Sequence, residues 1–250
     1  MTASGAYLLN DLIDVDHDRR HDRKRERPFA AGHLSLLHGW LLFPLLVMLG
    51  FAISSLTLPL SFLWVLTGYL VLALAYSLRL KQIVIVDVLT LAVLYELRIF
   101  AGAAAIGVYV SFWLLIFSMF FFLSLAFIKR FSELKSARLK GNDGKILGRG
   151  YTEQDLEIVS VLGTTSGCLA VLVLAFYVQD GHARELYATP ELIWLACLLL
   201  FYWIARAWIL VHRNQMHDDP IVFALTDKVS WAVIASLLIV FVAATLLPWH

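Results

Sequence analysis

Seven long apolar runs separated by short polar connections set the architecture of this 250-residue chain. They cover roughly residues 36–58, 61–80, 84–107, 111–128, 156–178, 190–212 and 229–248. Leu, Phe, Val and Ala dominate them, and each is close to the ~20 residues that cross a bilayer as a helix. Backbone groups in lipid must bond within their own segment, which predicts helices rather than strands. Ahead of the first run, an apolar turn (Ala6-Tyr7-Leu8-Leu9) leads into Asn10-Asp11-Leu12-Ile13-Asp14-Val15-Asp16-His17-Asp18. The expected fold class is therefore an all-α membrane protein with seven full helices plus the end of an eighth. Fewer than ten residues precede Asn10, too few to cross a bilayer. The pattern leads us to expect upstream residues that complete this helix.

Composition supports this reading. Hydrophobic residues make up 60% and charged residues 16%, where a soluble domain carries about 25% charged residues, and the mean hydropathy is +0.78. Cys168 and Cys197 lie inside apolar runs, so neither a disulfide nor a zinc site is predicted. No charged n-region of a secretory signal precedes the first motif. There is no repeat of fixed period and no soluble second domain, and no nucleic-acid partner is expected.

The placement of charge says more than its net value of +1. The first connection holds Arg19, Arg20, Arg23, Lys24, Arg25 and Arg27, closed by Pro28. The third holds Arg79 and Lys81. The fifth holds Lys129, Arg130, Lys135, Arg138, Lys140, Lys145 and Arg149, with Gly141-Asn142-Asp143-Gly144 through Gly148-Arg149-Gly150 reading as a flexible cytoplasmic loop. The seventh runs from His212 and Arg213 to Lys228. The second and fourth carry no Lys or Arg, and the sixth has only Arg184 among Asp180, Glu185 and Glu191. By the positive-inside rule, the odd connections face the cytoplasm and the C-terminal Trp249-His250 lies outside. Every polar cluster then shares one side with the acidic motif.

On a helix, Asn10, Asp11, Asp14 and Asp18 fall within an arc of about 100°. Clustered carboxylates suit a hard cation such as Mg²⁺, but an acidic helix end paired with the arginines that follow has the same spacing. Other polar residues leave the same choice open. Tyr76 and Lys81 read as interface anchors or as substrate contacts. Glu96 reads as a structural partner, for instance of Arg206, or as functional. Arg98, deep in an apolar run, suits a phosphate. Lys129 and Glu133, one turn apart, read as a local salt bridge or, with Arg130, as functional. Asp218, Asp219 and Asp227 could supply a second metal site, but read better as helix-end and cap residues of the last connection. Thr152 and Asp155 form a capping-box pattern. His212 and His217 are given no role.

Asn10-Asp11-x-x-Asp14-x-x-x-Asp18, followed by Arg27-Pro28 and Gly32-x-Leu34-Ser35, resembles the first aspartate-rich motif of the UbiA superfamily of intramembrane prenyltransferases. Tyr76 to Lys81 resembles that superfamily's tyrosine–lysine segment, and the likeness extends along nearly the whole chain. Members have nine transmembrane helices, so the resemblance implies a single UbiA-type domain over 1–250 lacking its first helix and most of the second. It also implies Mg²⁺ bridging a diphosphate and a lateral opening for a lipid chain. Asp11, Asp14 and Asp18 would hold the metal, with Asn10 orienting or contributing an oxygen, while Lys24, Arg27, Tyr76 and Lys81 would meet the diphosphate.

Where most members carry a second Asp-x-x-x-Asp, this chain has Lys129-Arg130-Phe131-Ser132-Glu133-Leu134. That segment, with Leu97-Arg98 and Ala101-Gly102-Ala103, is similar to the branch that includes decaprenyl-phosphate phosphoribosyltransferase. Some relatives there carry a soluble phosphatase-like domain before the membrane part. Two phosphorylated substrates need more cations than one diphosphate and a neutral acceptor, and Lys129, Arg130 and Arg98 supply them. The expected activity is phosphoribosyl transfer from phosphoribosyl diphosphate to a polyprenyl phosphate in the inner or plasma membrane. The alternatives are prenyl transfer from a prenyl diphosphate to a small acceptor and, in another class, a transporter or an inert membrane fragment.

Overall fold

The computed structural model describes residues 1–19, 24–139, 148–216 and 219–247. Arg20, Arg23, Lys140, Gly141 to Gly144, Lys145, His217, Asp218, Trp249 and His250 lie outside them, as do the side chains of His17, Lys24 and Arg184. Among the described residues the chain is helical, without strands. Its α-helices are α1 (Thr2–Ile13), α2 (Val15–Asp18), α3 (Leu36–Thr57), α4 (Leu60–Leu78), α5 (Val86–Ile106), α6 (Phe112–Leu139), α7 (Leu156–Gln179), α8 (Gly181–Leu186), α9 (Ile193–His212), α10 (Pro220–Thr226) and α11 (Lys228–Leu246).

The seven apolar runs become α3, α4, α5, α6, α7, α9 and α11, all long and apolar enough to span a bilayer. Leu41, Leu56, Leu198 and Ile239 are among many large apolar side chains left exposed on them. A soluble domain does not expose so much apolar surface; a bilayer covers it. The protein is a multi-pass integral membrane protein.

The helices form two compact units, Met1–Val110 with Leu147–Gly150, and Ser111–Ile146 with Tyr151–His250. In the first unit the short acidic helix is held on two sides. Along α3, glycines let α1 approach closely: a Cβ at Gly39 would lie 2.6 Å from Leu12 Cδ2 and 2.9 Å from Phe29 Cζ. Leu12, Val15 and Phe29 form a small buried cluster there. On its other side, Ala6 packs with Tyr69, Ala73 and Tyr76 of α4 and Leu94 of α5. The helical path is interrupted at Asp14 (φ −88°, ψ 1°). Even so, the Asp14 N–H reaches the Asn10 carbonyl at 2.9 Å and the Asp18 N–H the Asp14 carbonyl at 2.8 Å, so the acidic residues keep near-helical spacing.

In the second unit, α7 contacts α6 and α9 through Gly163, whose missing side chain makes room for Trp208 and Phe127. Ser124 Oγ donates to the Gly163 carbonyl at 2.8 Å and accepts from Trp208 Nε1 at 3.1 Å. The capping box opening this region is present: Asp155 accepts from the Thr152 N–H at 2.8 Å and its hydroxyl at 3.1 Å. Asp219 caps α10 by accepting from the Ile221 N–H at 2.9 Å, and Asp227 caps α11 by accepting from the Ser230 N–H at 2.7 Å. Arg206 makes a two-pronged bond to Asp227 at 2.7 and 3.0 Å. Asp227, not Glu96, is thus the observed partner of this intramembrane arginine. One boundary differs from the sequence pattern: the apolar run ends at 128, but α6 continues to Leu139, so Lys129, Arg130 and Glu133 lie within the helix.

Candidate functional site

The acidic residues of the first unit are matched by cations from three other parts of the sequence. The turn Lys24–Glu26 and Pro28 bracket Arg27, whose Nη1 donates to Asp11 at 2.7 Å and to Asp18 at 2.9 Å. From the 3-10 turn Leu80–Gln82, Lys81 Nζ donates to Asp14 at 2.6 Å and to the Asn10 amide oxygen at 3.3 Å. Lys81 and Asp18 are buried. A third cation, Arg149, donates to the Tyr76 hydroxyl at 3.0 Å and lies 3.7 Å from the fully buried Asp87 carboxylate. Charge-assisted bonds of this kind are about twice as strong as neutral ones.

Asn10, Asp11, Asp14, Asp18, Arg27 and Lys81 are therefore brought together, with Tyr76 bonded to Arg149. Pairing with a following arginine holds for Asp11 and Asp18, which share Arg27, but neither simple reading describes the whole stretch. It is not a solvated helix end, because Asp18 is buried and Asp14 is paired with a residue 67 positions away. Nor are Asp11, Asp14 and Asp18 held by one shared cation, since Arg27 bridges Asp11 and Asp18 and Lys81 holds Asp14. Among the described residues, no group of three or more His, Cys, Asp or Glu side chains is set to hold a metal ion. The donor chemistry nevertheless suits Mg²⁺. All four candidates offer hard oxygens, and this ion is commonly held by one or two carboxylates with waters and substrate phosphates completing its shell.

Arg98 sits elsewhere in the same unit. Its Nη2 donates to the hydroxyls of Tyr7 at 2.9 Å and Tyr69 at 3.3 Å, and the guanidinium lies over the Tyr95 ring at 5.0 Å from the centroid. In the second unit, Lys129 Nζ meets Asp219 at 2.9 Å and Arg130, fully buried, pairs with Glu133 three residues on. Spacing pairs Lys129 with Glu133; the structure instead bonds Lys129 to Asp219, 90 residues away, and Glu133 to Arg130, three residues before it. Burial works against ionisation of Asp219, but Lys129 and the N–H groups of Ile221 and Val222 outweigh it and hold its carboxyl below the usual range. Sequence reasoning placed Arg149 only as one of seven basic residues in a connection. Its one local signal was the flanking Gly148 and Gly150.

Fold and site together define a polytopic helical membrane protein whose oxygen-rich acidic motif is balanced by lysine and arginine from distant segments. The UbiA prenyltransferase family model matches residues 1–226, and the chain belongs to that family. It is 40% identical over 246 residues to the uncharacterized protein y4nM of Sinorhizobium fredii, covering 98% of this chain and 47% of that protein. The chain thus spans less than half the length of that relative. It is 36% identical to the nodulation protein NoeC of Azorhizobium caulinodans, covering 94% and 76% of the two chains. It is 31% identical to decaprenyl-phosphate phosphoribosyltransferase of Mycobacterium tuberculosis, covering 80% and 66%. Among solved structures, a UbiA homolog from Archaeoglobus fulgidus bound to DMAPP and Mg²⁺ shares the fold, with a TM-score of 0.70 at 18% identity over 96% of this chain and 84% of that one.

Proposed function

We propose that this chain carries a Mg²⁺-dependent transferase site that takes a diphosphate donor and a polyprenyl lipid. The donor of choice is phosphoribosyl diphosphate and the acceptor a polyprenyl phosphate. The observation that carries the reading is the gathering of Asn10, Asp11, Asp14 and Asp18 with Arg27 and Lys81 in one unit. Hard oxygen donors and fixed cations side by side are what a metal-bound diphosphate requires. The likeness to decaprenyl-phosphate phosphoribosyltransferase supports the choice of substrates.

In the proposed reaction, the bond from the ribose anomeric carbon to the diphosphate oxygen breaks and the diphosphate leaves with the electron pair. An oxygen of the lipid phosphate forms the new bond to that carbon. Bound Mg²⁺, held by Asp11, Asp14, Asp18 and Asn10, would stabilise the negative charge that develops on the leaving group. Arg27 and Lys81 would donate to the diphosphate oxygens, joined by Tyr76 and by Lys24. Arg98 in the first unit and, separately, Lys129 and Arg130 with their carboxylate neighbour Glu133 in the second are proposed as further phosphate-binding residues. The charged connections would face the cytoplasm and the C-terminus the opposite side of the plasma or inner membrane.

A second reading is transfer of a prenyl group from its diphosphate to a small aromatic or quinone-precursor acceptor. The A. fulgidus homolog, bound to DMAPP and Mg²⁺, favours it. Membranes carrying the protein, incubated with labelled phosphoribosyl diphosphate and polyprenyl phosphate and, in parallel, with labelled prenyl diphosphate and an aromatic acceptor, separate the two. Lipid-extractable ribose phosphate that disappears with a chelator and with Asp14→Asn is the expected result. Prenyl transfer alone would move the assignment to the second reading, and neither product would overturn both.

A further inference from the structure

We propose that Arg149 is a positioning residue for the diphosphate site, acting from a Gly148-Arg149-Gly150 strap on Tyr76 and on the turn that carries Lys81. The inference rests on the reading of that site given above. Although the strap lies in the chain between α6 and α7, it belongs to the first unit. Its geometry needs both glycines. Gly148 has φ +77°, and a Cβ at Gly150 would lie 2.6 Å from the backbone carbonyl oxygen of Gln82, which cannot move aside as a side chain would. The strap therefore bears on the turn holding Lys81.

The segment under the strap is itself strained. Ile85 has φ 67° and ψ −44°, a conformation that a β-branched side chain rarely adopts. The Val86 N–H donates to the Val84 carbonyl at 2.8 Å, closing a tight three-residue turn of the rare hand. Such a backbone persists only where its surroundings over-determine it. Lys81 is anchored just before this turn on Asp14, and Asp87 just after it faces Arg149. Arg149 is only 14% exposed and Asp87 not at all. A buried guanidinium fork is well suited to hold a carboxylate and a phenol at once, a task a lysine ammonium fulfils only in part. Arg149 thus joins α4, through Tyr76, to the start of α5, through Asp87, across the turn that presents Lys81.

The test uses the purified chain in detergent, with inorganic pyrophosphate and Mg²⁺ as the probe in calorimetry and hydrogen exchange of residues 82–88 as a ligand-free readout. Arg149→Gln should speed exchange in that segment and weaken pyrophosphate binding about tenfold or more, because small misplacements of binding groups are costly. Arg149→Lys should recover part of the loss. Gly150→Ala, which keeps every charge, should reproduce the Gln phenotype. Tyr76→Phe combined with Arg149→Gln should lose less than the product of the two single effects, because the variants share the Arg149–Tyr76 bond.

Faster exchange with pyrophosphate affinity unchanged would reduce the strap to a structural brace and overturn the proposal. So would effects of Tyr76→Phe and Arg149→Gln that multiply. If the unaltered chain fails to bind Mg²⁺-pyrophosphate, the diphosphate reading itself falls and takes this one with it. If binding is lost in Asp14→Asn but intact in Arg149→Gln, the site stands and the role of Arg149 does not.

Discussion

The Lys81–Asp14 pair gives the sharpest test of the site's electrostatics. The ammonium is 2.6 Å from the carboxylate oxygen, with the lysine side chain 6% and the aspartate 22% exposed. At an effective dielectric of about 20, attraction at that distance is roughly 6 kcal/mol. Desolvation of the two ions offsets much of it, so the pair as a whole adds little to stability. Removing one partner is a different matter, because it strands a charge; this typically costs about 3–5 kcal/mol. The partial exposure of Asp14 argues for the lower end, about 3 kcal/mol, in Lys81→Met.

Asp14→Asn should cost a similar amount, since the buried lysine is then stranded. The double variant removes both charges and should lose well under the sum, giving a coupling of about 2 kcal/mol or more in a double-mutant cycle. The assay is equilibrium unfolding in mixed micelles with chelator present. On the proposed Mg²⁺ reading, saturating Mg²⁺ should then shrink the coupling, because the ion would take the place of Lys81 as the partner of Asp14. Additive effects, with a coupling below about 0.5 kcal/mol, would refute the reasoning.

Three further outcomes are expected. Gly163→Ala would place a Cβ 2.2 Å from Trp208 Cζ2 and 2.6 Å from Phe127 Cβ, and overpacking of about 1–3 kcal/mol should outweigh the ~1 kcal/mol gained in helix propensity; detergent melting checks this. The Arg206 hydrogen bonds, with those of Ser230 and against a smaller opposing effect of burial, hold the Asp227 carboxyl below its usual range. Its contribution is therefore present above the unfolded carboxylate value and lost as pH falls through the lowered one; melting from pH 7 to pH 3 should show a flatter acid limb in Asp227→Asn. Arg98→Met removes bonds to Tyr7 and Tyr69 and should cost about 1–2 kcal/mol in the same melting assay.

Hydropathy located the seven spans because burial in lipid demands long apolar helices, and nothing else in the sequence competes with that signal. It ended the fourth run at 128, while α6 continues to Leu139. Hydropathy drops where Lys129 and Arg130 begin, but helix propagation depends on backbone bonds, and Glu133 supplies the buried arginine with a partner one turn away. The caps at Asp219 and Asp227 were legible because capping is local. The bond from Asp219 to Lys129, 90 residues away, was not. The proximity of Arg27 to the acidic motif was suggested by sequence, yet the pairing of Asp14 with Lys81 crosses 67 residues and two long helices.

The basic connection after α6 shows why charge alone could not find Arg149. Counted by the positive-inside rule, its residues are interchangeable. In the structure they do different things: Arg138 meets Glu153 at the surface, Lys135 donates to the His212 carbonyl, Lys129 holds the α10 cap, and Arg149 reaches Tyr76 and Asp87. Burial separates Arg138, 61% exposed, from Arg149, 14% exposed. An exposed pair contributes little and tolerates loss, whereas a buried arginine opposite a fully buried aspartate constrains every backbone segment it touches. The sequence trace of that difference lies in the residues with no charge at all, Gly148 and Gly150, which allow the chain to come close enough for the arginine to be buried.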